Sequence, residues 1–220
     1  MYITTVVTSK LNNPFTSLKY KDFRYYWIGM CISLIGTWMQ NIAQPWLAYS
    51  LTNSPFLLSL IGVLQFTPVL LFSLFAGVIV DRFSKKQILI ITQSLSLIIS
   101  LILAILIWTG EIQYWHILVM ATLLGVVNTF DMPTRQSMVI ELVGKKDLMN
   151  AIALNSMAMN LARIIGPTIA GIVMGYIGVG SCFFINSISF AAVVISLFFI
   201  KPMPVKKKTN NNTQTSHIKI

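Results

Sequence analysis

Charge is what this chain has least of. Of its 220 residues only 10% are Asp, Glu, Lys or Arg, against about 25% in soluble domains. Acids are the scarcer sign: six stand against sixteen bases, for a net charge of +10. Cysteine and histidine are nearly absent, with Cys31, Cys182, His116 and His217 the whole supply. The two cysteines sit in separate apolar runs, at no spacing that holds a metal, and read as small core- or lipid-facing residues. No nucleophile stands beside a base, the histidines are isolated, and no glycine-rich phosphate loop is present. An enzyme is therefore not expected, nor a cofactor or metal. A secretory signal is not expected, since the first apolar run exceeds an h-region and lacks a small-residue cleavage site after it. The positive charge also excludes less than it suggests. The bases stand in short blocks between apolar runs, not along one amphipathic face, which argues against a nucleic-acid partner.

What remains is apolar length. The composition is 55% hydrophobic with mean hydropathy +0.75, and residues 25–80 contain no charged side chain. A bilayer core takes about 20 apolar residues per helix, and six segments meet or approach that length, near 25–51, 56–80, 87–108, 114–131, 149–177 and 181–200. The fold class expected is an all-α membrane protein with six transmembrane helices, the fourth of them the shortest. Residues 1–24 form a polar, basic lead whose aromatics Phe15, Tyr20 and Phe23 suit the headgroup level. Residues 201–220 form a basic and polar tail of low complexity, expected to be disordered.

Orientation follows from the bases. With the amino terminus inside, fifteen of the sixteen fall on the inner side, and Arg163 alone lies within a helix. The outer turns near residues 52–55, 109–113 and 177–180 hold no Lys or Arg. Such asymmetry predicts cytoplasmic termini and a multi-pass plasma-membrane protein. The short outer turns predict that helices one and two, three and four, and five and six are tight antiparallel neighbours.

Polar residues inside the apolar segments are the informative exceptions. Ser33, Thr37, Gln40 and Gln44 recur at steps of four, three and four, with Asn41 beside them, so they share one helical face. Amides at bilayer depth do not face lipid. They line a watery cavity or act as hydrogen-bonding glue between helices. Asn128, Asp131 and Arg135 share a face of the fourth segment, and Asp131 with Arg135 has the spacing of a helical ion pair. Arg135 also suits an anchor at the membrane rim. In the fifth segment Ala158, Ala162, Gly166 and Ala170 form a smooth ridge for close helix contact, extended by Gly171. Ser156, Asn160, Arg163 and Pro167 lie on a neighbouring face. Arg163 is roughly 20 Å from either end of its helix. A guanidinium at that depth is costly unless paired or wet, which makes it a candidate functional residue with a structural ion pair as the alternative. Asp131 is the nearest intramembrane acid by depth.

A charged hinge, Gly77 to Lys86, separates the second and third segments. Its Gly77-x-x-x-Asp81-Arg82-x-x-Lys85-Lys86 resembles the loop signature of major facilitator superfamily transporters, with Ser84 in place of the family's second glycine. Ala162-Arg163-Ile164-Ile165-Gly166-Pro167-Thr168-Ile169-Ala170-Gly171 is similar to the Gly-Pro signature of that superfamily's proton-coupled exporters. Pro133 and Arg135, then Glu141-Leu142-Val143, Asn150-Ala151 and Asn155-Ser156, look like the branch that holds the enterobactin, drug and macrolide exporters.

The resemblance implies one half of a twelve-helix fold, each half built of three-helix repeats in inverted orientation around a central cavity. It implies that helices one and four line that cavity, that the Asp81 loop latches the two halves, and that Gly166-Pro167 sets the bend of helix five. The function implied is efflux of a small organic compound, drug- or siderophore-like, against proton uptake. The partners implied are the lipid bilayer, that substrate, H+ and a second six-helix half from another chain or a second copy. The other expectation is a truncated, non-transporting remnant or a six-helix membrane interaction protein.

Overall fold

The computed structural model describes residues 15–200. A short 3-10 helix, Thr16–Lys19, leads into α1 (Lys21–Thr52), α2 (Pro55–Arg82), α3 (Lys85–Trp108), α4 (Tyr114–Val143), α5 (Leu148–Tyr176) and α6 (Val179–Phe198). Most of the lead and the whole tail, residues 1–14 and 201–220, lie outside the described residues.

Helix ends are set locally. α1 stops where Asn53 adopts a left-handed backbone, φ 50°, and its N–H donates to the Tyr49 carbonyl at 2.8 Å. Asparagine tolerates that conformation better than most residues. Ser54 then caps α2 by accepting the Leu57 N–H at 3.4 Å, with Pro55 in the first helical position where no N–H is needed. Gln113 and His116 form a reciprocal capping box on α4, and Gly144, φ 68°, ends that helix.

α2 through α6 are long and apolar enough to cross a membrane, whereas α1 is not among the helices that meet that measure. With 32 residues α1 has the length; its stripe of hydroxyls and amides dilutes its hydropathy. The fourth helix corrects an expectation. The apolar segment near 114–131 is only the first part of a 30-residue helix that passes through Pro133 to Val143. Thr134 donates its hydroxyl to the Phe130 carbonyl beside the proline, and Asp131 pairs with Arg135 across it. Pro133 withholds one N–H from the ladder, and the helix continues past it to Val143.

The packing order also differs from expectation. α1 lies along α6 and α5, α4 lies along α2 and α3, and α3 lies along α6. Only α3 and α4 among the turn-linked pairs are close neighbours; α1 with α2, and α5 with α6, touch little. A two-residue turn fixes where two helices start, not the angle at which they diverge. Close approach is built on small residues. A Cβ on Gly125 of α4 would enter the Gln65 carbonyl of α2, and one on Gly166 of α5 would enter Trp38 of α1.

The apolar core falls into two large groups and a small one of Ile99, Leu124 and Val127. One large group, around Phe23, Tyr26, Leu89, Met138 and Leu197, fills the end where the described chain begins and ends. The other, around Met39, Leu103, Ile117 and Phe183, fills the opposite end. Buried polar side chains lie between them, among them Gln40, Gln93, Ser96, Ser100, Asp131 and Asn186. Interior prolines occur once each in α1, α2, α4 and α5 (Pro45, Pro68, Pro133, Pro167), and α3 and α6 have none.

The short leading helix is clasped to the start of α5. The Ser17 N–H donates to Asn150 Oδ1 at 2.9 Å, and the Ser17 hydroxyl to the Asp147 carbonyl at 3.1 Å. The Tyr20 hydroxyl donates to Asp147 Oδ2 at 2.7 Å, and that hydrogen bond raises the phenol above its usual range.

Candidate functional site

A cavity of about 690 Å³ opens among the helices on the side of the first core group. Its wall takes Ser33, Thr37, Gln40 and Asn41 from α1, Asn128, Asp131 and Arg135 from α4, and Asn155, Ser156 and Asn160 from α5. Gln65 of α2, Gln93 and Ser96 of α3, Gln136 of α4 and Asn186 of α6 add to its polar part. The hydrophobic remainder includes Met30, Leu124, Met132 and Phe190. Such a lining, largely apolar with convergent hydrogen-bonding groups, suits a small organic molecule.

Two polar hubs hold the wall. Gln40 Oε1 accepts from the Ser100 hydroxyl of α3 at 2.8 Å and from Asn186 Nδ2 of α6 at 2.7 Å. The Ser189 hydroxyl in turn donates to Asn186 Oδ1 at 3.0 Å. Asp131 is the charged hub. Its Oδ1 accepts from the Thr92 hydroxyl and from Gln93 Nε2, each at 2.7 Å, and its Oδ2 accepts from Arg135 Nε. A buried carboxylate is tolerable when paired and hydrogen-bonded in this way. The Tyr26 hydroxyl lies beside the Arg135 guanidinium. Gln93 Oε1 and Asn155 Oδ1, both buried on residues of the wall, have no partner among the described residues.

The expected residues separate into groups. Gln40, Asn41, Asn128 and Asp131 come together on the cavity. Gln44 is buried next to Gln40, whose Nε2 donates to its Oε1 at 3.5 Å, and it does not line the cavity. Arg135 lines the cavity with Asp131 and pairs with it. Arg163 is not among the wall residues and does not reach Asp131. It is exposed, with its guanidinium 5.1 Å from the centre of the Trp38 ring. Insertion of a central arginine costs about 2.5–3.5 kcal/mol on translocon scales, and a desolvated cation over an indole returns about 2 kcal/mol. The ring alone leaves the guanidinium's N–H groups unsatisfied.

On α5, Ala162, Gly166 and Ala170 are buried, with Gly166 directly against α1. Gly171 departs from this ridge: it is exposed and a Cβ there would meet nothing, because it lies one residue, about 100°, round the helix from Ala170. Pro167 is half-buried. At the hinge, Asp81 and Arg82 are exposed in the last turn of α2, and Gly77 faces open space. The two lysines are engaged. Lys85 Nζ donates to the Val80 carbonyl at 2.7 Å, and Lys86 Nζ to the Ile200 carbonyl at 2.6 Å. The first satisfies a carbonyl in the last turn of α2, where cations are favoured, and the second satisfies one just past the end of α6.

Residues that sequence reasoning passed over either line the wall, as Gln93, Ser96 and Asn186 do, or are buried elsewhere in α3 and α6, as Thr92, Ser100, Ser189 and Ser196 are. Thr92, Gln93, Ser96 and Ser100 recur at helical spacing in α3, and Asn186, Ser189 and Ser196 do so in α6. The periodicity rule that picked out α1 would have found both.

Comparison with known proteins agrees with this architecture. The profile of the transmembrane secretion effector family matches residues 12–219. The chain is 28% identical over 176 residues to the staphyloferrin A transporter of Staphylococcus aureus, covering 79% of this chain and 44% of that protein. It is 23% identical over 150 residues to macrolide efflux protein A of Streptococcus pyogenes, covering 68% of this chain and 37% of that protein. It is also 23% identical over 171 residues to the multidrug efflux pump Tap of Mycolicibacterium fortuitum, covering 76% and 42%. The chain thus spans less than half the length of these relatives. No solved structure matches it. On this match, over nearly its whole length, the chain belongs to the transmembrane secretion effector family of the major facilitator superfamily, as a multi-pass protein of the bacterial plasma membrane.

Proposed function

We propose that these residues form one six-helix half of a secondary active exporter that moves a small organic compound outward in exchange for protons. The observation that carries the reading is the cavity, with a buried carboxylate on its wall held by Arg135, Thr92 and Gln93. Protonating Asp131 removes the charge that Arg135 neutralises and weakens three hydrogen bonds at once, so proton uptake has a direct route to the cavity wall. The names of the relatives supply the candidate substrates, a siderophore of the staphyloferrin type or a macrolide.

The packing supports an inverted repeat of three helices. α1 against α5 and α6 is matched by α4 against α2 and α3, the exchange that such a repeat requires. In this reading both termini are cytoplasmic, as the distribution of bases predicts. Asp81 supports the latch. An acid in the last turn of a helix opposes the helix dipole, and among the described residues Asp81 has no partner. A helix amino terminus in a second half would supply one. That half is either continuous with this chain or a separate polypeptide, and transport takes both halves rocking about the cavity.

The test is uptake into everted membrane vesicles under an imposed proton gradient, with labelled staphyloferrin A and a labelled macrolide as probes. Asp131→Asn is expected to abolish gradient-driven uptake at normal membrane levels. Uptake unchanged in that variant would remove Asp131 from the mechanism.

A further inference from the structure

Arg163 is the intramembrane charge that the cavity does not use. It stands about 20 Å from either end of α5, too far for its side chain to reach the headgroups. Among the described residues it has the Trp38 ring and no carboxylate or hydrogen-bond acceptor. Its direction is fixed by the helix. Asn155 with Ser156, then Met159 with Asn160, face the cavity, and Arg163 is the next position on the same stripe. Arg163 itself is exposed and stands one helical step beyond the last lining residue of that stripe, Asn160.

The chain's own acids narrow what covers it. Asp22, Asp81 and Glu141 lie in terminal turns of helices, and Glu111 and Asp147 lie between helices. Asp131 is occupied by Arg135, Thr92 and Gln93. A second copy of this chain would bring no free carboxylate to mid-depth.

We infer that Arg163 over Trp38 is a docking point for a carboxylate carried at mid-membrane depth by a second, non-identical six-helix half. The ion pair supplies the acceptors that the indole face cannot. This rests on the reading that a second half exists, and it adds that two copies of this chain do not substitute for it.

A benzophenone amino acid in place of Trp38 keeps a ring beneath the guanidinium and reports what lies against it. After irradiation of membranes from the native host, the crosslinked peptide is expected to come from a non-identical transmembrane helix. That peptide should hold an Asp or Glu within one turn of the attachment point. Arg163→Glu should lower the yield by about tenfold or more, as facing like charges do. Arg163→Lys should retain most of it, with membrane levels of each variant checked in parallel. Crosslinking to a second copy, to a helix without an acid, or with unchanged yield in Arg163→Glu would overturn the inference and leave the exporter reading standing. Adducts with lipid alone would defeat the second half itself, and the inference with it.

Discussion

Gln40 and Asp131 occupy comparable places, one on α1 and one on α4, and each is tied by an oxygen to hydroxyl and amide donors. They differ in what neutralises the oxygen. Gln40 is uncharged and takes its second donor from α6, so it joins three helices with groups that keep one protonation state. Asp131 carries a charge, and the cation that balances it comes from its own helix, one turn on. The first hub can only hold; the second can hold or let go. Two positions of similar packing thus divide into fixed glue and an element able to change state, and the chemistry of one side chain decides which.

The largest expected effect lies on the charged hub. Asp131→Ala should cost about 3–5 kcal/mol, because it strands a partly buried guanidinium, and the double variant Asp131→Ala with Arg135→Ala should cost less than the single one. Denaturant unfolding in mild detergent measures both. Next, Thr92→Val removes a donor to a charged acceptor and should cost about 1.5–3 kcal/mol. Gln40→Leu strands Ser100 and Asn186 together, for about 1–3 kcal/mol, and adding Asn186→Leu should recover part of the loss. Smallest is Ser100→Ala, about 0.5–1.5 kcal/mol, since its acceptor is neutral. If Thr92→Val and Ser100→Ala unfold alike in the same titration, the distinction between the hubs fails.

Much of this was legible in advance, for physical reasons. Residues 25–80 without a charge, and the apolar runs that follow, announce helices because a bilayer sets their length. The Asp131–Arg135 pair is a local spacing and reads directly. The continuation of α4 beyond residue 131 was hidden, because charges and Pro133 resemble an end while the neighbouring helices keep the segment helical. Which helices pack together was hidden too, since chain order constrains turns but not the diverging bodies of the helices. Arg163 could be placed in depth from its number alone. That it lies over Trp38 depends on how α5 is rotated against α1; the small-residue ridge announces that Gly166 makes a close contact, and it does not say with which helix.

The four interior prolines give the bundle a mechanical plan. A helix that lacks one backbone donor midway bends there at lower cost than elsewhere. α1, α2, α4 and α5 each have such a joint, whereas α3 and α6 have none and brace each other. The molecule is therefore a stiff two-rod spine with four jointed limbs, and any flexing of the cavity wall is concentrated at four known heights rather than spread along the helices.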